Sequence, residues 1–143
     1  MTIDSRGPRF GAVITTAVLV VVLVISGVSH LAAGLILFAQ TLVFAVGALA
    51  GLRYAPYGLL YKAVLRPRLG PPAELEDEAP PRFAQGVGLV MAAAGTVGYL
   101  AVSPVLGAVF AALCLVAAFL NAAFNLCLGC HMYLLIQRFR PAG

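Results

Sequence analysis

The segment Asn121-Ala-Ala-Phe-Asn125-Leu-Cys127-Leu-Gly129-Cys130-His131 decides how this chain folds. It interrupts an apolar run from Val105 to Ile136 with two asparagines, a Cys-x-x-Cys and a histidine. As one helix, Val105 to Gln137 would reach about 50 Å at ~1.5 Å per residue, too long for a bilayer core ~30 Å thick. Either the helix breaks inside this segment and sets the cysteines at the membrane surface, or it stays straight and holds them in the inner leaflet.

The rest of the composition explains why a bilayer is the frame of reference. The 143 residues are 62% hydrophobic and 10% charged. A soluble domain is about half apolar and about a quarter charged. A soluble fold of this size has too much surface for its volume to hide such a sequence. The composition predicts a single membrane domain over 1–143 with the lipid bilayer as its partner. The net charge is +4, but the basic residues flank apolar runs, which fits membrane orientation and not nucleic-acid binding. Three cysteines with one close pair are not a disulfide framework.

Uncharged runs at Gly11–Val28, Leu31–Leu52 and Phe83–Val102, with the one beginning at Val105, predict four spans. The first has a rival reading as a signal peptide, with Arg6 and Arg9 as its basic lead. All nine Lys and Arg lie in the N-terminus, the 53–82 connection or the C-terminus, and none in either hairpin turn. The positive-inside rule then predicts a multi-pass protein of the cytoplasmic membrane with both termini cytoplasmic. No Asp, Glu, Lys or Arg lies within a span, which argues against a proton-driven pump.

Between the hairpins, Tyr57, Leu60, Tyr61, Val64 and Leu65 form one stripe of a helix. Lys62 and Arg66 fall on its polar side. The pattern reads as an interfacial helix, with Tyr57 and Tyr61 at headgroup level and Lys62 and Arg66 toward anionic lipid. The alternative is a helix packed on protein. Residues 70–80 read as an irregular, acidic, proline-rich linker.

Sliding the chain against itself until Pro8-Arg9-Phe10 meets Pro81-Arg82-Phe83 also pairs Gly34 with Gly107, Leu42-Val43 with Leu115-Val116, and Ala45 with Ala118. This offset predicts a repeat over 8–69 and 81–140. The expected fold is an all-α membrane protein: four transmembrane helices as two repeated helical hairpins, with a cytoplasmic amphipathic interfacial helix after each hairpin. The repeat favours a retained first span. It also ends the fourth span near Leu126 and makes His131 to Phe139 the second interfacial helix.

Cys127 and Cys130 have the spacing of a dithiol at a helix start, where backbone N–H groups favour the thiolate of the first cysteine. On the cytoplasmic side such a pair is normally reduced, which suits exchange chemistry better than a structural bridge. His131 is placed to assist proton transfer. Three readings stay open: redox or sulfur chemistry, cysteines as small packing residues, and a metal site that lacks enough ligands within one chain. No cofactor and no metal is expected. Asn121 and Asn125 fall on one helix face and should seek partners inside the bundle, with Gln40 and Thr41 as candidates. Cys114 reads as packing. The glycines of the third span offer a surface for a homodimer.

The segments Ile3-Asp4-Ser-Arg6-Gly7-Pro8-Arg9-Phe10, Gly51-Leu-Arg53-Tyr54-Ala-Pro56-Tyr57-Gly58, Arg66-Pro67-Arg68-Leu-Gly70-Pro71-Pro72, Pro80-Pro81-Arg82-Phe83-Ala-Gln85 and Asn125-Leu-Cys127-Leu-Gly129-Cys130 together resemble the DUF4395 family. These are small bacterial membrane proteins of unknown function, common in actinobacteria. The resemblance covers nearly the whole chain. It implies a neighbourhood of soluble thioredoxin-like or sulfurtransferase-like proteins, which would suit a thiol role for Cys127 and Cys130. Members often carry an acidic residue after the second cysteine; His131 stands there in this chain, so no family role passes to it. The expected function is a thiol-disulfide or sulfur-relay component of the membrane. The alternative is a scaffold or permease-like subunit.

Overall fold

A backbone in hydrocarbon must satisfy its polar groups within its own segment, so the apolar runs become helices. The computed structural model describes residues 2–4, 6–69, 75–77, 79–124 and 126–139. A short strand, β1 (Thr2–Asp4), leads into α1 (Arg6–Ser26). α2 (His30–Ala45) runs back and continues through a π-helical turn at Val46–Ala50. A 3-10 turn at Leu52–Tyr54 leads to α3 (Pro56–Val64) and the short α4 (Arg66–Leu69). After β2 (Leu75–Asp77) come α5 (Ala79–Val97), a second π turn at Gly98–Val102, α6 (Pro104–Phe124) and α7 (Leu128–Phe139). Four of these helices are long and apolar enough to cross a membrane.

The four long helices form a square. α1 packs on α2 and α6, and α5 packs on α2 and α6. Leu19, Val22, Ala33, Leu37, Ala92 and Ala111 close the centre with no exposed surface. Val24, Leu49, Val90 and Phe119 point outward, as lipid-facing side chains do. Lipid tails are as apolar as leucine, so close packing rather than water exclusion holds such helices together. The helices accordingly approach tightly at small residues. A Cβ on Gly88 would lie 2.7 Å from the ring of Phe44, and one on Gly107 would lie 2.5 Å from the ring of Tyr99.

Two polar links cross this interior. Thr41 of α2 and Thr96 of α5 stand 3.3 Å apart, both buried, and each also reaches its own helix at Leu37 or Ala92. A hydroxyl has one proton, so one threonine donates across the gap while the other keeps its intrahelical bond. The Tyr57 hydroxyl donates to Gln40 Oε1 at 2.6 Å. Burial raises the Tyr57 pKa above its ordinary value, which keeps it a donor. Gln40 and Thr41 thus find Tyr57 and Thr96.

The tyrosines of α3 correct one expectation. Tyr61 is buried against Phe10, and half-buried Tyr57 reaches into the bundle, so neither side chain turns outward to headgroups. The reason is that α3 packs on α1, with Tyr61 over Phe10 and Tyr57 beside Gly11. Lys62 is exposed; of Arg66 only the backbone is described, at the start of α4. The linker differs from expectation too. Its Leu75–Asp77 pairs antiparallel with Thr2–Asp4, with Thr2 opposite Asp77, so the chain is not wholly helical. Residues 70–74 and 78 of the linker lie outside the described residues.

Both arginines of the Pro-Arg-Phe triplets close helix ends. Arg82, at the start of α5, donates from Nε to the Ala48 carbonyl (2.8 Å) and from Nη2 to the Leu49 carbonyl (2.9 Å). Arg9, at the start of α1, donates from Nε to the Ala122 carbonyl at the end of α6 (3.2 Å). Helix C-termini leave carbonyls unsatisfied and carry partial negative charge, so a guanidinium suits both needs. Arg82→Ala is expected to destabilise the protein in detergent by about 1–2 kcal/mol, since charge-assisted bonds are lost at an exposed site. Unchanged thermal unfolding would show that water replaces the guanidinium without cost.

Candidate thiol site

The fourth apolar run is divided. α6 ends at Phe124, and the Leu126 N–H reaches back to the Leu120 carbonyl at 3.1 Å, a wrapped bond that terminates a helix. Arg9 takes the Ala122 carbonyl at the same end. The chain then restarts as α7, and Cys127 stands just before its first turn. The Cys127 carbonyl accepts from His131 N–H (3.0 Å), and its Sγ accepts from Cys130 N–H (3.2 Å). A sulfur thus fills the capping role that a serine or aspartate oxygen fills elsewhere.

The Cys127 and Cys130 sulfurs lie at disulfide distance, with Cα atoms 5.2 Å apart. Both residues are half-buried, and His131 is exposed on the same turn. The Cys130 N–H of the first turn points at this sulfur, and such a terminus favours negative charge. The pair lies at the end of the bundle where the Arg9 and Arg82 caps also sit.

Gly129, between the cysteines, is buried against α5. A Cβ there would lie 2.5 Å from Ala84 Cβ and 2.6 Å from Ala84 Cα. The Phe83 and Tyr133 rings meet at a tilt of 49° with centroids 5.7 Å apart. One turn later, Gln137 Nε2 donates to the Tyr133 hydroxyl (2.9 Å). The cysteines therefore sit on a turn clamped to α5.

Asn121 is half-buried near the end of α6, and Asn125 lies outside the described residues. Cys114 is a free, buried cysteine in the bundle core. Sequence reasoning passed over the roles of Arg9 and Arg82, although the Pro-Arg-Phe triplets were visible in it. It also passed over Ala84, for which it offered no signal.

These features define a class: a multi-pass helical membrane protein with a cysteine pair at the start of a surface helix. Residues 3–138 match the family model described as a domain of unknown function, DUF4395, and the chain belongs to that family. No curated protein and no solved structure matches the chain.

Proposed function

We propose that this chain is a cytoplasmic-membrane protein whose Cys127/Cys130 pair exchanges disulfides with a soluble thiol protein. The observation that carries the reading is Cys127 at the head of α7, its sulfur accepting from the Cys130 amide and within bonding reach of the second sulfur. In the exchange, the Cys127 thiolate attacks a disulfide of the partner. A mixed disulfide forms, and one partner sulfur leaves as thiolate. The Cys130 thiolate then attacks Cys127 Sγ and releases the second partner sulfur. Two electrons pass to the partner, and the dithiol becomes the Cys127–Cys130 disulfide. His131, exposed on the same turn, accepts the one proton that Cys127 gives up, and the Cys130 proton passes to solvent. The partner is of the thioredoxin-like or sulfurtransferase-like kind. With a partner persulfide, the first attack moves the outer sulfur to Cys127, and the pair serves as a sulfur relay.

The architecture proposed for this role is two repeated hairpins, each followed by an amphipathic helix at the cytoplasmic interface. Two observations support it. Arg9 reaches Ala122 as Arg82 reaches Leu49, matching positions at the offset that aligns the Pro-Arg-Phe triplets. α3 lies on α1 as α7 lies on α5. The basic residues of the termini and connection support a cytoplasmic location for that end. In this reading Asn121 is an interhelical polar group and the exposed Lys62 faces the lipid surface; the same roles are proposed for Asn125 and Arg66 from their place in the sequence.

Cys127→Ser should abolish oxidation to the intramolecular disulfide and leave the purified protein folded. Mass-tagged alkylation before and after mild oxidation reads this. Wild-type thiols that stay equally reactive after oxidation would leave the cysteines as packing and favour the scaffold reading. A thiol reagent that cannot cross the membrane should miss both cysteines in intact cells; labelling from outside would reverse the topology.

A further inference from the structure

The outer face of α5 carries an open groove of about 660 Å³, distinct from the thiol pair. Gly86, Val87 and Val90 of α5 line it together with Ala48 and Leu49 at the end of α2, and Arg82, at the start of α5, is part of its lining. The lining is apolar except for that guanidinium. Gly86 keeps it open, since a Cβ there would meet nothing within 4 Å. From Ala79 to Val90 the groove follows about 16 Å of helix at ~1.5 Å per residue. That is the depth of one leaflet of a core ~30 Å thick. Arg82 lies at the first turn of a membrane-length helix, where headgroups sit.

The geometry points to a specific site for an anionic phospholipid, its phosphate on Arg82 and an acyl chain along Gly86, Val87 and Val90. A guanidinium carries five N–H donors, and the bonds to Ala48 and Leu49 use two of them. The same residue can therefore close α2 and bind a phosphate, an oxyanion that suits its planar fork. Charge selects the headgroup, and the groove holds the chain. The occupant is a lipid and not free phosphate, because beyond Arg82 every lining side chain is apolar.

Native mass spectrometry of the intact protein in nonionic detergent tests this with phosphatidylglycerol and phosphatidylcholine of identical chains. Wild-type protein should retain a single phosphatidylglycerol, with a preference over phosphatidylcholine of about fivefold or more, as one basic residue near a membrane surface supplies. Gly86→Leu fills the groove without touching the guanidinium and should remove the bound lipid while leaving the melting temperature unchanged or higher. Arg9→Gln removes an equal charge elsewhere and should leave binding intact. Excess inorganic phosphate should not displace the lipid. Equal retention of both lipids, undiminished binding by Gly86→Leu, or an equal loss from Arg9→Gln would overturn the assignment. Displacement by phosphate would restrict the site to a free anion and overturn it also.

Discussion

Replacing Gly98 with alanine is expected to cost about 3 kcal/mol or more of stability, the upper part of the range for overpacking a tight interior. The added methyl would lie 2.6 Å from the amide nitrogen of Gly107 and 2.9 Å from its Cα. Both atoms are backbone, so no side-chain rotation relieves the clash. The second π turn and the start of α6 would have to separate, and Tyr99, packed over Gly107, would lose its seat. Gly86→Ala is the matching control. It meets open space, and alanine is the better helix former by roughly 1 kcal/mol. The two variants should therefore move unfolding midpoints in opposite directions in the same detergent. A Gly98→Ala protein as stable as wild type would show that this helix crossing yields easily.

Gly129→Ala is the second large effect and falls on the thiol site itself. The new methyl would meet Ala84 Cα and Cβ, again against backbone, so α7 must lift from α5. We expect a loss of about 2–3 kcal/mol. The Phe83–Tyr133 ring contact should be lost, and proteolysis near the start of α7 should accelerate. Because both cysteines ride on the displaced turn, alkylation of the reduced pair should speed up as well. Ala84→Gly in the same chain should recover part of the loss, since it removes the methyl of residue 84 while its backbone still presses on α7. Full additivity of the two changes would mean that Gly129 and Ala84 do not press on one another.

The spans were legible because hydropathy over a membrane-length window reports the solvent directly. The division of the fourth run was legible for a different reason. A helix through Val105 to Gln137 is too long for the core, and the Pro-Arg-Phe offset placed the break near Leu126, close to where α6 ends at Phe124. What escaped was the choice of neighbour. The stripe of Tyr57 and Tyr61 has the same periodicity whether it meets lipid headgroups or α1, and only the packing of α3 on α1 decides for protein. Thr41 and Gln40 were recognisable as buried polar groups. Their partners, Thr96 and Tyr57, depend on which helices adjoin in the square. The ribbon between Thr2–Asp4 and Leu75–Asp77 had no periodic signal, because each strand is too short to show alternation.

For the thiol site, the residue types and their spacing were visible, while the sulfur's capping bond and the clamp on Ala84 were not. A Cys-x-x-Cys written in one dimension carries no information about which end of which helix it occupies. Arg9 and Arg82 show the same limit. Each looks like a flanking charge until the far carbonyls at Ala122, Ala48 and Leu49 are brought beside it.

Those arginines also bear on how the chain is made. In chain order Ala48 and Leu49 precede Arg82, so their carbonyls are synthesised before the guanidinium that closes them. Arg9 waits longer, since Ala122 is nearly the last of the membrane segment to appear. Neither hairpin can complete its own ends. Each depends on its counterpart: Arg82 of the second hairpin closes the end of the first, and Arg9 of the first closes the end of the second.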